Sequence, residues 1–508
     1  MKEHSRTYNS IVNSLWGVFA SIITTILNFV VRVVLVKTLG AEINGIHSLF
    51  QSIISIMALM EMGLNTAMII HLYAPIKECD NELIKGIIGF YRKLYRILSI
   101  TFFVVGLTVS FTVLDYMVTS SIPIGIVRMY FLLFVLSFSL GYLTNYRRCI
   151  IFAEQKNRVS ILATTISELI CRSLQVASLI VYRNYFIFLA LLVFERLLNN
   201  SICNYYVIKH FPFLKKLDGY RLCREKKTAI FSTVKPLFVN QMANTIQMSS
   251  RSVLISVLLG NVSVVGYFGN YQLIMNVVQL IYGQLGGAIT SGFGNLSVDA
   301  SPNKLRKAYF KSAFVMNWIA AVCCSCFICC SDTFIYLIFG EEFVLETISM
   351  IVLTANLIIY LLDIPIISLQ NALGLHKIDS SFMVLQAFVA ILFGYVLGKF
   401  WGMAGIFVGL LVPLFVFTFI RKGILISKHS LGLSVYEYLG FAMKEFLKIS
   451  FTVSVSYALC QIPNQEYSIT SLIISLLIAS VTSLVLPLLL SWRQPELRLL
   501  KDIVLKRK

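Results

Sequence analysis

Two apolar stretches carry polar residues at one matched spacing. In the first, Ser21, Thr25, Asn28 and Arg32 fall at i, i+4, i+7 and i+11; in the second, Asn240, Asn244, Gln247 and Arg251 repeat the same intervals. On a helix this spacing draws a single polar line down one face. Each line ends on an arginine, whose permanently charged planar fork can grip the oxygens of an anion bidentately. More ionisable residues lie inside other apolar stretches: Glu61, Glu168 and Arg172, Glu195 and Arg196, and Asp363. Groups of this kind are costly in hydrocarbon and tend to face a bundle interior or a wet cavity. One reading is a water-filled lumen of net positive charge between two halves of the protein. The other differs by residue. Arg32 and Arg251 could snorkel to a membrane surface, although snorkelling does not require the Asn, Thr and Gln aligned beneath them. Glu168 and Arg172, spaced i, i+4, could neutralise each other. Glu61 and Asp363 have no partner close in sequence and are candidates for coupling to H+ or Na+.

Signatures of catalysis are missing. The chain has no G-x-x-x-x-G-K-[ST] phosphate loop, no H-E-x-x-H and no G-x-S-x-G. His47 and His71 are isolated and read as packed or interfacial residues. Of eleven cysteines, Cys323, Cys324, Cys326, Cys329 and Cys330 crowd one apolar stretch. A metal there would need polar supporting groups in hydrocarbon, so buried free thiols are expected. The expectation is therefore no enzyme, no resident metal and no cofactor beyond a coupling ion.

The elements that must position these residues follow from composition. Of 508 residues, 57% are hydrophobic and 13% charged, and the mean hydropathy is +0.81. Soluble domains carry about 25% charged residues, so a water-soluble enzyme and a disordered chain are excluded. A membrane helix needs roughly 20 apolar residues, and about fourteen such segments can be drawn along the chain. The N-terminal one is too long for a signal-peptide core and is read as a retained first span. Lys and Arg outnumber Asp and Glu 43 to 24. With the N-terminus in the cytoplasm and loops alternating sides, only Lys37, Arg183 and Lys399 fall in outer loops. That asymmetry sets the orientation, with both termini cytoplasmic, and makes nucleic acid an unneeded partner. The basic inner face would attract anionic lipids.

The expected fold is all-α and integral to the membrane. Residues 1–208 would form a six-helix bundle, 209–228 a basic cytoplasmic linker, 229–430 a second six-helix bundle, and 431–508 a terminal helix pair with a basic tail. Beyond the two arginines come Leu39-Gly40 and Leu259-Gly260, and Gly45 and Gly266 open the following spans. The two bundles are therefore read as parallel repeats.

The stretches Ser14-Leu-Trp-Gly-Val-Phe-Ala-Ser21, Arg32-Val-Val-Leu-Val-Lys-Thr-Leu-Gly40, Glu61-Met-Gly-Leu-Asn65, Leu72-Tyr-Ala-Pro-Ile-Lys77 and Tyr91-Arg-Lys-Leu-Tyr95 give the chain a resemblance over its whole length. It resembles Wzx-type oligosaccharide flippases of the multidrug/oligosaccharidyl-lipid/polysaccharide (MOP) exporter superfamily. The resemblance implies transport of an undecaprenyl-diphosphate-linked oligosaccharide across the cytoplasmic membrane for capsule or another surface polysaccharide, with glycosyltransferases and a polymerase as partners. It is similar as well to peptidoglycan lipid flippases, in which an arginine late in the first span helps to hold the diphosphate; Arg32 matches that position. On this reading Arg32, Arg251 and Arg172 meet the diphosphate, and Asn28, Asn240, Gln241, Asn244 and Gln247 meet the sugars. Glu61, Asp363 and Glu168 serve ion coupling. Two alternatives stand: a drug/cation antiporter of the same superfamily, which would need a lumen led by acids, and a membrane-embedded glycosyltransferase or polymerase, which would need a sizeable outer loop.

Overall fold

A computed structural model describes residues 6–61, 64–154, 156–215, 217, 222–299, 302–375, 380–462 and 467–492. The fold is all-α; no strand occurs among the described residues. Ten helices there are long and apolar enough to cross a membrane, and the chain is a multi-pass membrane protein. In chain order the helices are α1 (Arg6–Met57), α2 (Leu64–Lys77), α3 (Asn81–Thr112), α4 (Leu114–Met117), α5 (Ile124–Asn145), α6 (Arg148–Ala153), α7 (Asn157–Tyr182), α8 (Tyr185–His210) and α9 (Arg224–Leu259). They continue with α10 (Val262–Asp299), α11 (Pro302–Phe339), α12 (Thr347–Leu373), α13 (Ser380–Pro413), α14 (Gly423–Leu431), α15 (Val435–Cys460) and α16 (Ile469–Leu490).

Two of the long helices are hairpins. In α1 the backbone leaves helical geometry at Gly40, with φ +83°, a conformation open chiefly to glycine. Arg32 Nη2 then donates to Ser48 Oγ at 2.9 Å, a pair that a straight helix would hold about 24 Å apart along its axis. The chain therefore reverses at Gly40. In α13 it reverses at Trp401–Gly402, bringing Gly409 against the backbone of Gly394. The outer loop that holds Lys37 is thus a one-glycine break, because a single left-handed residue suffices to turn the chain. Counting both arms of each hairpin and adding α9 and α15, the crossings agree with about fourteen spans. The span that Gly45 opens is not one continuous helix. It is interrupted by a 3-10 turn at Ala58–Glu61 before α2 begins, so Glu61 sits at a helix break.

Backbone packing divides the chain into two compact units, Met1–Gly266 and Tyr267–Lys508. In the first, α1 packs along α7 and α9, α3 along α5, and α8 against α5 and α7. Its apolar centre stacks Phe50 edge-on against Phe131, with Phe134, Phe138 and Phe102 following. His47 is boxed edge-on by Phe134 and Phe188, and its Nδ1 lies 2.9 Å from the Tyr185 hydroxyl; it is a packed residue. In the second unit α11 lies against α12, α15 and α16. The cysteine-rich face of α11 contributes to that packing: Cys324 is fully buried, and Cys326 Sγ is 3.8 Å from Ser480 Oγ of α16. Helix starts are capped locally. Asp80 accepts from Leu83 N at the start of α3, Asn184 from Phe186 N at α8, and Ser434 with Glu437 forms a capping box at α15.

Candidate functional site

The first unit buries two of the predicted arginines, Arg32 and Arg251. Arg32 is buried; besides Ser48, its Nη2 reaches the carbonyl oxygen of Gly266 at 3.4 Å. Asn44 Nδ2 donates to the same carbonyl at 3.2 Å. This meeting depends on the paired glycines. A Cβ on Gly45 would lie 1.9 Å from the Val262 carbonyl oxygen, and one on Gly266 would lie 2.9 Å from Gly45 N. The two glycines that mark the repeat in sequence thus touch each other, and the left-handed Gly260 (φ +60°) ends the second stripe as Gly40 ends the first.

Arg251 on α9 is 4% exposed. Its Nη1 has no hydrogen-bond partner among the described residues. Gln247, one turn earlier, is also buried. Arg32 and Arg251 fall in the same compact unit. Asn28 is half-buried one turn before Arg32. The side chains of Asn240, Gln241 and Asn244 lie outside the described ones.

Glu168 and Arg172 do not pair with each other. Glu168 Oε2 accepts from Thr24 Oγ1 of α1 at 2.6 Å. Arg172 Nη2 lies 3.3 Å from Glu195 Oε2 on α8, and its Nη1 donates to Gln175 at 2.8 Å. Tertiary neighbours on α1 and α8 outcompete the i, i+4 partner. These contacts reveal a polar stripe the sequence reading missed: Ser160, Thr164, Glu168, Arg172 and Gln175 run down one face of α7, spanning about 22 Å at the helical rise. Its period of three to four was visible in the sequence. Glu61 also has partners: Tyr95 donates to its Oε1 at 2.9 Å and Asn145 Nδ2 lies 3.4 Å away.

In the second unit Asp363 of α12 is buried beside Lys422, at 2.7 Å. Lys422 closes a π-helical stretch, Leu414–Lys422, that follows Pro413. The wider turn resets the helical phase so that the ammonium faces inward, a use to which such insertions are often put. A second buried pair, Glu445 and Lys448 of α15, sits at 2.6 Å. Asn317 donates to Glu445 at 3.2 Å and Lys448 to Ser491 at 3.1 Å. A small cavity lies between Tyr309, Asn317, Pro365, Tyr438 and Glu445. Lys422, Glu445 and Lys448 were not among the sequence candidates. Lys422 falls just past the apolar segment, and the other two interrupt one at i, i+3.

The many-helix membrane bundle, with buried arginines in one unit and buried ion pairs in the other, has known counterparts in its fold. The fold is that of MOP-superfamily transporters. It matches the inward closed conformation of the lipid II flippase MurJ with a TM-score of 0.70 and 14% identity, over 95% of this chain and 99% of that one. It matches an inward-facing MATE-family multidrug resistance transporter with a TM-score of 0.66 and 15% identity, over 85% and 95%. A MOP-superfamily transporter from Pyrococcus furiosus matches with a TM-score of 0.57 and 15% identity, over 84% and 96%. No curated protein sequence matches the chain. Residues 10–293 match the family described as polysaccharide biosynthesis protein, and the chain belongs to that family.

Proposed function

We propose that the protein is a flippase that moves undecaprenyl-diphosphate-linked oligosaccharide repeat units across the cytoplasmic membrane, for capsule or another surface polysaccharide. The observation that carries this reading is Arg251, a buried guanidinium with an orphaned Nη1 in the unit that also buries Arg32. A guanidinium held away from water with a donor nitrogen left unpartnered is expensive. A diphosphate is the natural complement, because its oxygens accept the fork bidentately and the interaction strengthens in a low-dielectric site. Family membership supports the polysaccharide pathway, and the lipid II flippase shares the fold. Arg32, Arg251 and Arg172 would serve the diphosphate. Asn28 and Gln247, with Asn240, Gln241 and Asn244, would serve the sugars. Glu61 and Glu168, each hydrogen-bonded by a neutral donor, would serve ion coupling. Asp363 would take that role only by releasing Lys422. Both termini would face the cytoplasm, with glycosyltransferases and a polymerase acting before and after.

Deleting the gene tests the proposal in cells. Lipid-linked repeat units should accumulate on the cytoplasmic leaflet and clear when the wild-type gene is restored. A strain that gains drug or cation sensitivity with no such accumulation would point instead to an antiporter.

A further inference from the structure

The first unit holds a second pair of arginines that the proposal above does not use. Arg148, at the start of α6, donates through Nε to Ser160 Oγ at 2.5 Å and through Nη2 to Thr164 Oγ1 at 2.9 Å. Thr164 Oγ1 also accepts from Asn199 Nδ2 of α8 at 3.3 Å. One turn from Asn199, Arg196 is half-buried and lays its guanidinium over the Phe138 ring, 4.7 Å from the centroid. Arg148 and Arg196 lie within electrostatic range of each other. Neither forms an ion pair with a carboxylate among the described residues, and Arg196 makes no hydrogen bond there. Glu61 lies within electrostatic range of both arginines and Glu168 of Arg148, but each carboxylate is already hydrogen-bonded, Glu61 through Oε1 by Tyr95 and Asn145 and Glu168 through Oε2 by Thr24. Two like charges this close, bonded only to hydroxyls and a ring face, repel each other unless an anion comes between them. The fork of Arg196 is left with its donors unspent.

Placement along α7 gives the pair a meaning. Thr164, which anchors Arg148, precedes Arg172 by two helical turns, about 12 Å along the axis. Resting on the flippase reading, we propose that Arg148 and Arg196 form a second phosphate-binding station for the lipid-borne diphosphate. It is separated along the polar stripe from the one served by Arg172, Arg32 and Arg251. A polyanion crossing the membrane would then pass between two sets of forks and would not have to leave one before meeting another.

The test uses the full-length protein in phosphatidylcholine nanodiscs, with undecaprenyl diphosphate lacking any sugar as the probe. Arg196→Gln is the cleaner variant because no hydrogen bond is lost with it; Arg148→Gln accompanies it, and thermal melting checks that each is folded. Each should weaken binding about tenfold, the loss expected for a hydrogen-bonded charge contact, and Arg196→Lys should recover part of it. Arg32→Ala reports on the flippase reading separately. If Arg32→Ala weakens binding while Arg196→Gln and Arg148→Gln match wild type, the second station is wrong and the flippase reading survives. If wild type does not bind the probe, both are wrong. Nanodiscs containing phosphatidylglycerol distinguish the other source of phosphate. Variants that lose bound phosphatidylglycerol but keep undecaprenyl diphosphate would overturn the assignment in favour of a lipid headgroup site.

Discussion

The two units hold most of their buried cations in different ways, with Arg172, paired to Glu195, the exception in the first. In Met1–Gly266, Arg32 bonds to a hydroxyl and a carbonyl, Arg148 to two hydroxyls, and Arg251 keeps an orphaned Nη1. In Tyr267–Lys508, Lys422 and Lys448 are each within 2.7 Å of a carboxylate, Asp363 and Glu445 respectively. A charge paired in place is already neutralised and can hold helices together. A guanidinium that keeps an unspent donor, as Arg251 does, remains available to an incoming anion. On the flippase reading, substrate handling would belong to the first unit and a self-compensated frame to the second.

The largest expected effect breaks that contrast on the substrate side. Arg32→Ala and Arg251→Ala should each abolish export of the lipid-linked repeat, by a hundredfold or more (~3 kcal/mol), while the protein still reaches the membrane. Lysine at either site keeps the charge and loses the fork, so it should restore only part of the flux. Full activity of both lysine variants at matched protein levels would show snorkelling anchors instead.

On the frame side, stability should change more than transport chemistry. Lys422→Met leaves Asp363 buried and ionised, which costs about 3–5 kcal/mol and should lower the melting temperature of the purified protein sharply. Lys422→Met with Asp363→Leu removes both charges and should recover most of the loss, since a buried pair is often replaceable by apolar residues. Failure of the double variant to recover stability would mean that Asp363 does more than pair with Lys422.

A third test concerns the glycine contact that seats Arg32. Gly45→Ala places a methyl 1.9 Å from the Val262 carbonyl oxygen, so the backbones must separate, at a cost of about 1–3 kcal/mol. Gly287→Ala, where a Cβ meets nothing within 4 Å, is the control and should leave stability and export unchanged. Equal expression and export of the two variants would show that the paired glycines do not govern the site.

The smallest effect lies outside the membrane. The backbone N–H of Ser434, followed by Arg306, holds the Glu437 carboxyl below its usual range. The stabilisation is present above the ordinary carboxylate pKa and fades as the pH falls through the lowered one. Glu437→Gln should therefore lower the melting temperature slightly near neutrality and leave it unchanged in strong acid; because the pair is exposed, the difference should be small.

Much of this was legible in sequence for a physical reason. A polar line through apolar helix is visible at a period of three to four, so Arg32, Arg251 and Gln247 stood out, as did Gly40, whereas the second hairpin at Gly402 did not. Partners on other helices were not legible. The i, i+4 spacing of Glu168 and Arg172 suggested a local pair, whereas Thr24 and Glu195 take them. Lys422 escaped notice because hydropathy ends the segment just before it, and only the π-helical phase turns its ammonium towards Asp363. The break at Glu61 was hidden as well, since apolar composition runs through it unchanged.

The central claim, that an under-compensated guanidinium in the first unit carries a diphosphate across the membrane, has a direct test. Proteoliposomes loaded with an undecaprenyl-diphosphate-linked oligosaccharide can be probed from outside with a soluble glycan-cleaving enzyme, which reads transbilayer movement as the fraction of sugar exposed over time. Wild-type protein should accelerate exposure well above protein-free vesicles, and Arg251→Ala, reconstituted to the same density, should fall to the protein-free rate. Equal acceleration by wild type and Arg251→Ala would contradict the account.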